Sequence, residues 1–501
     1  MSKVSTNTVS LAVAREDSLA VLPGSPKWKL LEPNSIGSYG ATINTVSRNP
    51  ISKDRQRKKG TITDLDSAVE FEADLTMEHV TTFLAAFVFA LPNGPNVYGD
   101  QETDTITGVD GTAEEYDVSA NGDLAAGQLI YCRGFTNSDN NGLKTVAAGS
   151  TGTAIAVEED LVTEGSPPDN ARIEVCGFEG AAGDLEIDAS GNLISTVLDF
   201  TTLDLTVGQV IWIGGTATLN RFALDISSSV NRGWARITAI AANELTLDKK
   251  TSTYQTDNGA AKEIHVYFGH FIRNVSVDDV DYDEASYQFE LTLPDLEAVG
   301  TDCYEYAKGN YCNTLAFSLP LADKATCSFG FVGTDTEPPD TSRATGADTP
   351  LLPVQTTAFN TSADIARLRI TEVDETGLTT YFKSLTLTLN NNASPEKALA
   401  NLGAVFMNVG NFDVNIEAQV LFTNKAVPAA IRANTTVTMD FSLRNDDGGL
   451  FFDLPAMTLG GGDKELPENE TVLMNTPAQA FEDPTLGTSI GISLFPYLPS
   501  S

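Results

Sequence analysis

The chain has 501 residues, 41% of them hydrophobic, and its 68 Asp and Glu against 31 Lys and Arg give a formal charge of −37. That apolar content supports several cores and excludes a disordered acidic chain, while the charge argues against wrapping DNA or lying on an anionic membrane. The longest apolar run, FLAAFVFAL at 83–91, falls far short of the ~20 residues of a membrane helix, and no cationic start followed by an apolar run reads as a signal peptide.

Frequent Thr, Val, Asn, Asp and Gly, with few runs at helical spacing, predict a mainly β chain. Residues 1–35 read as an arm, because VLPGSP can continue neither a helix nor a central strand. The stretch RNPISKDRQRKKG (48–60) follows, with Arg48, Lys53, Arg55, Arg57, Lys58 and Lys59 against Asp54, a local charge of +5. In DLDSAVEFEADL (64–75), Val69, Phe71, Ala73 and Leu75 alternate with Glu70, Glu72 and Asp74, the pattern of a strand with one buried and one wet, acidic face. Val80, Phe83, Leu84, Phe87, Val88 and Leu91 then form one stripe of an amphipathic helix that Pro92 ends.

From about 98 to 269 the sequence repeats itself. LAAGQLIYCRG (124–134) matches LTVGQVIWIGG (205–215), NGLKTVAA (141–148) resembles RGWARITAI (232–240), and ARIEVCGF (171–178) matches KEIHVYFG (262–269). The expected organisation is a first domain part at 1–97, two tandem small β modules at 98–178 and 179–269, and a second domain part at 270–501. Beyond 270, strand-like stretches include SYQFELTLP (286–294), KSLTLTLN (383–390), FDVNIEAQVLF (412–422) and a hairpin at 437–455 turning at Asp446, Asp447 and Gly448. SPEKALANLG (394–403) predicts a short helix with Ser394 as N-cap, Pro395 at the first position and Gly403 as the stop. The segment 334–355, rich in Pro, Thr and Asp, reads as a long irregular loop.

Candidate chemistry is sparse. His79 at a helix start reads as a surface residue, and His265 and His270, five apart, would point to opposite faces of a strand. The five cysteines, Cys132, Cys176, Cys303, Cys312 and Cys327, read as free buried thiols of a protein made in a reducing cytoplasm, with a Cys303–Cys312 bridge as the alternative. In DDVDYDEASYQFE (278–290), Asp279, Asp281, Asp283 and Glu290 fall at positions 1, 3, 5 and 12 of a calcium-binding loop, but Glu284 stands where that loop needs Gly. A solvated acidic patch open to a basic partner is the better reading. No nucleophile elbow, phosphate-cradling loop or paired CxxC is present, so neither enzymatic activity nor a cofactor is expected.

Both ends of the chain resemble a known family. LAVAREDSLAVLPGSPKWKLLEPNSI (11–36) and ISKDRQRKKGTITDLDSAVEFEADL (51–75) are similar to the N-terminal region of major tail tube proteins of long-tailed (siphovirus-type) bacteriophages. SLTLTLNNNASPEKALANLGAVFMNVGNFDVNIEAQVLF (384–422) and MNTPAQAFEDPTLGTSIGISLFPY (474–497) resemble the C-terminal part. The segment 98–269 departs from the family pattern. The resemblance implies a β-sandwich with a flanking helix, with six copies closing into a ring through a shared inner barrel. Stacked rings would conduct the genome out of the capsid. It further implies a virion tail protein assembled in the host cytoplasm, whose partners are itself, a tape measure protein and tail terminator and distal tail proteins. Double-stranded DNA passes transiently, without specific binding. The N-terminal arm and a long loop between early strands brace neighbouring rings in the family, which puts Arg48, Lys53, Arg55, Arg57, Lys58 and Lys59 in the inter-ring contact. The acidic faces of two strands, with Glu70, Glu72 and Asp74 on one and Asp413 and Glu417 on the other, are expected to face the lumen. The alternative reading is a multidomain β adhesin or carbohydrate-binding surface protein with Trp212 and Trp234 in its ligand face.

Overall fold

A computed structural model describes residues 4–49, 51, 53, 56–99, 102–222, 231–295, 301–353, 356–373, 377–379, 381–423, 425–466 and 468–499. The chain is mainly β, and its strands pair antiparallel in large sheets. The largest assembly divides by its exposure pattern into two packed layers.

The first layer runs, in spatial order, through strands Ser35–Arg48, Lys58–Asp74, Thr326–Gly333, the second half of Thr301–Leu319, Phe382–Asn390, Asp413–Leu421 and Leu473–Ala480. Apolar and polar residues alternate along each. Directly opposed residues of antiparallel strands point to the same side, so Phe71, Phe329, Leu315, Leu389 and Val414 make one continuous apolar row, and Ala73, Cys327, Phe317, Leu387 and Ile416 the next. Helix Met77–Val88, capped by the Thr76 hydroxyl, lays Phe83 and Phe87 across that face against Phe71, Phe329 and Phe331. It stops at Phe89, whose φ of 52° is left-handed, three residues before Pro92.

The second layer comprises strands Ile365–Glu372, Thr436–Asn445, Gly448–Leu459, Gly491–Phe495 and Phe271–Arg273. The hairpin turn expected at Asp446 and Asp447 joins its central pair. Phe452 packs on Phe317 of the first layer and stacks on Phe441, closing the core. Strand Gly448–Leu459 is buried at nearly every position, so it is covered on both faces.

What covers its far side is the inserted segment. Each repeat is a three-strand unit: Gln128–Arg133, Gly142–Thr145 and Arg172–Glu179 in the first, Val210–Ile213, Gly233–Ala241 and His265–Tyr267 in the second. The third strands of the two units pair with each other, Gly177 opposite Tyr267 and Glu179 opposite His265, so both repeats share one sheet about a local pseudo-two-fold. The matched Gly-Gln pairs explain the repeat. Gly127 and Gly208 take φ of 87° and 95°, and the Gln128 and Gln209 side chains accept from the Ala125 and Thr206 amides to close the same turn. Separate cores form around Tyr98, Tyr116 and Ile173 and around Phe200, Ile211 and Phe268.

The insert sheet docks on the second layer through Leu129, Val210, Trp234 and Tyr267 against Phe451, Phe495 and Leu498. Beside this apolar contact lies a buried charge cluster. Asp453 takes Arg236 at 2.8 Å and Lys249 at 2.5 Å, both from the insert. Next to it Asp440 takes Arg369 at 2.9 Å and Arg367, and Arg367 also donates to the Lys249 carbonyl. Burial raises the Asp453 carboxyl, but Lys249 and Arg236 outweigh it and hold the group below the usual carboxylate range. A depressed folded-state pKa stabilises the fold above the unfolded value of about 4, and that stabilisation is lost as pH falls through the folded value.

Several sequence expectations are corrected. SPEKALANLG is no helix: Ser394–Lys397 pairs with Ala404–Asn408 as a hairpin. Lys397 binds Asp64 at 2.7 Å and Asp66 at 2.5 Å, and Gly403, at φ 85°, sits against Thr334 and Leu65 where a Cβ would clash; these long-range contacts override the local helix signals. His79 is buried, held by the Thr76 hydroxyl and the Asp74 carbonyl. Residues 1–35 do not form a free arm among the described residues. Ser10–Arg15 pairs with Ser286–Asp295, and Trp28 is buried beneath the 334–355 loop, donating to the Thr345 carbonyl. All five cysteines are free.

Removing one partner of a buried charge pair strands the others, which costs ~3–5 kcal/mol, whereas surface pairs are worth ~1 kcal/mol or less. Asp453→Ala should therefore destabilise the chain by several kcal/mol in denaturant unfolding, and Asp248→Ala, at the exposed end of the same cluster, by no more than about 1 kcal/mol. Equal effects would remove the special role of Asp453.

Candidate functional site

The far face of the first layer is open. Its cross-strand rows read Asp74–Thr326–Ser318–Thr386–Glu417, Glu72–Ser328–Ala316–Thr388–Asn415–Gln479 and Glu70–Gly330–Thr314–Asn390–Asp413. The five acidic residues singled out from the sequence therefore share one face. Glu70, Glu72 and Asp74 border it on one side and Asp413 and Glu417 on the other. Four strand steps of ~4.8 Å put the borders ~19 Å apart.

Between the borders stand only small, mostly uncharged side chains, and the three rows contain no Lys or Arg. Thr and Ser are tolerated here because a pleated, half-wet surface suits β-branched and hydroxyl residues. The acids differ in their engagement. Asp74 is paired with Lys324 at 2.6 Å; burial raises its carboxyl, but Lys324 and Asn34 hold it below the ordinary range. Asp413 accepts from Asn392. Glu70, Glu72 and Glu417 are exposed. The sequence reading caught the bordering strands and, between them, the Thr/Leu alternation of KSLTLTLN, but missed strands Thr301–Leu319 and Thr326–Gly333.

At its edge this layer runs on into a long hairpin. Strands Ser35–Arg48 and Lys58–Asp74 pair as far as Arg48 opposite Lys58, but the next strand supports only Ser67–Asp74. Residues 42–48 and 58–66 thus form a two-stranded ribbon, roughly 27 Å long at ~3.4 Å per residue. Ile43, Val46 and Ile62 are 52%, 61% and 52% exposed along it, and Ile51 at the tip is fully exposed. A lone ribbon with apolar side chains in water is marginal without a partner. Arg48, Lys53, Arg57, Lys58 and Lys59 are exposed at its end; Arg55 lies outside the described residues. Lys397 clamps the 394–408 hairpin to the ribbon's base.

The 278–290 acidic stretch is partly committed internally. Asp283 binds Arg15 at 2.7 Å, Asp281 accepts from Asn93 at 3.0 Å, and Asp279 accepts from the Asp281 amide. Glu290 is fully buried with Arg343 and Tyr306. Among the described residues no group of three or more His, Cys, Asp or Glu is arranged to hold a metal. Of the other histidines, His265 pairs with Glu179 at 2.6 Å and His270 lies beyond that strand, its pKa lowered by burial.

An open polar sheet face, a strand Ser35–Arg48 whose outer edge pairs with no other described strand and a ribbon with exposed apolar side chains suit a structural β protein that associates through its sheet. The family model described as phage tail tube protein matches residues 6–476, nearly the whole chain, and the chain belongs to that family. It is therefore a structural component of the virion tail that assembles with other tail proteins. No curated protein matches it.

The ribbon's isolation has a measurable consequence, because local stability follows local support. In the unassembled subunit the amides of 42–48 and 58–66 should exchange with deuterium far faster than those of 67–74, and assembly should protect them. Equal protection of both segments in the free subunit would contradict an unsupported ribbon.

Proposed function

We propose that the chain is the major tail tube subunit of a long-tailed, siphovirus-type phage, and that six copies close into a ring with the open polar face lining the channel. The observation that carries this reading is the arrangement of that face: exposed carboxylates bordering a lane of Ser, Thr and Asn, with no cation in the lane. DNA carries one charge per ~1.7 Å of axis and adheres to basic walls. Carboxylates repel it, and short hydroxyl and amide side chains hold water, so the duplex slides without being gripped. Ring closure uses the strand Ser35–Arg48, whose outer edge pairs with no other described strand; a neighbouring subunit would extend the sheet there.

Stacking is the second half of the proposal. Each chain carries −37, so a ring of six carries six times that, −222, and rings repel. A ribbon ending in Arg48, Lys53, Arg55, Arg57, Lys58 and Lys59 reaches the next ring, where an acidic surface converts repulsion into directed attachment. Exposed Asp278 and Glu284 are a candidate receiver on charge. A tape measure protein inside the channel and terminator and distal tail proteins at its ends complete the assembly, made in the host cytoplasm.

Two experiments follow. Changing Arg48, Arg57, Lys58 and Lys59 together to Glu should leave the circular dichroism and melting temperature of the subunit unchanged, since exposed charges govern association more than folding, and should abolish tubes in negative-stain images. Normal tubes at moderate salt would refute the bracing role. Changing Glu70, Glu72 and Glu417 to Lys should leave tubes intact and slow genome release from reconstituted virions; unchanged release would count against a repulsive channel wall.

A further inference from the structure

A groove of about 760 Å³ opens between residues 20–26 and residues 337–345 of the long loop. Strand Ser286–Asp295 contributes Gln288 to its floor. On one side Gln288 faces Ala14, whose side chain is a single methyl group. On the other side the register shifts, and Lys308 and Gly309 together stand opposite Gln288 as a bulge. Buried Glu16 fixes this arrangement. It accepts from the Gly309 amide at 2.9 Å, the Ala20 amide at 2.9 Å and the Ser286 hydroxyl at 2.6 Å. One carboxylate thus holds the bulge, the floor and the start of one wall.

Gln288 is only 4% exposed and lines the groove, yet its side-chain amide has no hydrogen-bond partner among the described residues. A buried amide left unpaired is costly, and buried polar groups are nearly always satisfied. The charged side chains of the groove are all engaged already. Lys308 pairs with Glu337, and Arg343 binds Glu290 at 2.5 Å and lies over the Tyr304 ring at 4.7 Å. Asp340 accepts from the Thr341 and Ser342 amides. No free charge remains to select an ion. The aromatic ring in the lining, Tyr306, is 5% exposed and packs edge-on against Trp28, with its hydroxyl on Glu290 and the Ala344 amide. It offers no open face on which a sugar or a base could stack.

We propose that this groove binds an extended, uncharged peptide segment of another protein. In an extended chain the N–H and C=O of one residue point to the same side, so the Gln288 amide accepts from one and donates to the other. That pairing satisfies the buried amide and selects an extended backbone over a compact ligand. Leu22, Pro23, Pro26 and Pro338 flank the groove with apolar surface, and the prolines bring no N–H that would itself need a partner. A second copy of the chain is the poorer occupant. Each copy carries −37, and the groove holds no unpaired cation to offset their repulsion. This inference goes beyond ring formation and does not depend on it.

The test is a selection of displayed random dodecapeptides on the intact protein, followed by fluorescence anisotropy of the enriched sequences as free labelled peptides. Uncharged sequences should be enriched, with affinities that barely change between low and high salt. Gln288→Leu should weaken them by roughly tenfold or more. It should not lower the melting temperature, because the amide it removes has no partner in the fold to lose. Gly24→Trp, at a wall position where an added side chain meets open space, should block the same peptides and leave the fold intact. No enrichment, enrichment of charged sequences only, or affinity that survives either substitution would overturn the proposal. Enriched sequences matching exposed stretches of this chain would overturn it in favour of a second copy.

Discussion

Register across the first layer is the constraint on which the rest of the molecule depends. Side chains alternate along a strand, so a slip of one residue in any pairing would carry a Glu or Thr into the core and a Phe into water. Asp74, Thr326, Ser318, Thr386 and Glu417 stay in one row only because Ala73, Cys327, Phe317, Leu387 and Ile416 hold the next row buried. The helix reinforces this from one side, where Phe83 and Phe87 fit the aromatic cluster of Phe71, Phe329 and Phe331 and would fit no other register. The core thus aims the polar face.

The second layer carries a different burden. Its strands are apolar toward the first layer and also toward the insert, so neither neighbour can be removed without exposing Phe452 on one side or Phe451 and Phe495 on the other. The insert is therefore not a detachable ornament, although each repeat has its own core. Asp453 fixes the same contact by charge, through Arg236 and Lys249 of the insert, while Asp440 pairs with Arg367 and Arg369 of its own layer and Arg367 reaches the insert through the Lys249 carbonyl. Buried ions tolerate few alternative partners, so the pairs on Asp453 restrict the angle at which the insert sits.

Much of this was legible in the residues. Period-two alternation announced the strands around Glu70 and Asp413, and the stripe from Val80 to Val88 announced the helix. The Gly-Gln turns announced the repeat. What the sequence hid was long-range. Ser394, Pro395 and Gly403 carry sound helix-boundary signals, yet the segment is a hairpin because Lys397 finds Asp64 and Asp66, more than 300 positions away in the chain. Phe451 and Phe452 look alike in sequence, and nothing local says that they face different layers. Asp453, an acid within the mostly apolar strand Gly448–Leu459, marks the contact only once that strand is known to be covered on both faces. The middle of the polar face escaped for a related reason: Ser and Thr rows are informative only once their neighbours are known.

The central claim is that the open face of the first layer surrounds a channel. A density map of the assembled particle tests it most directly. The account predicts a hollow tube in which Glu70, Glu72 and Glu417 ring the lumen, the Ser and Thr rows lie between them, and the insert stands on the outer wall. A map in which those carboxylates point outward or are buried between subunits would contradict it.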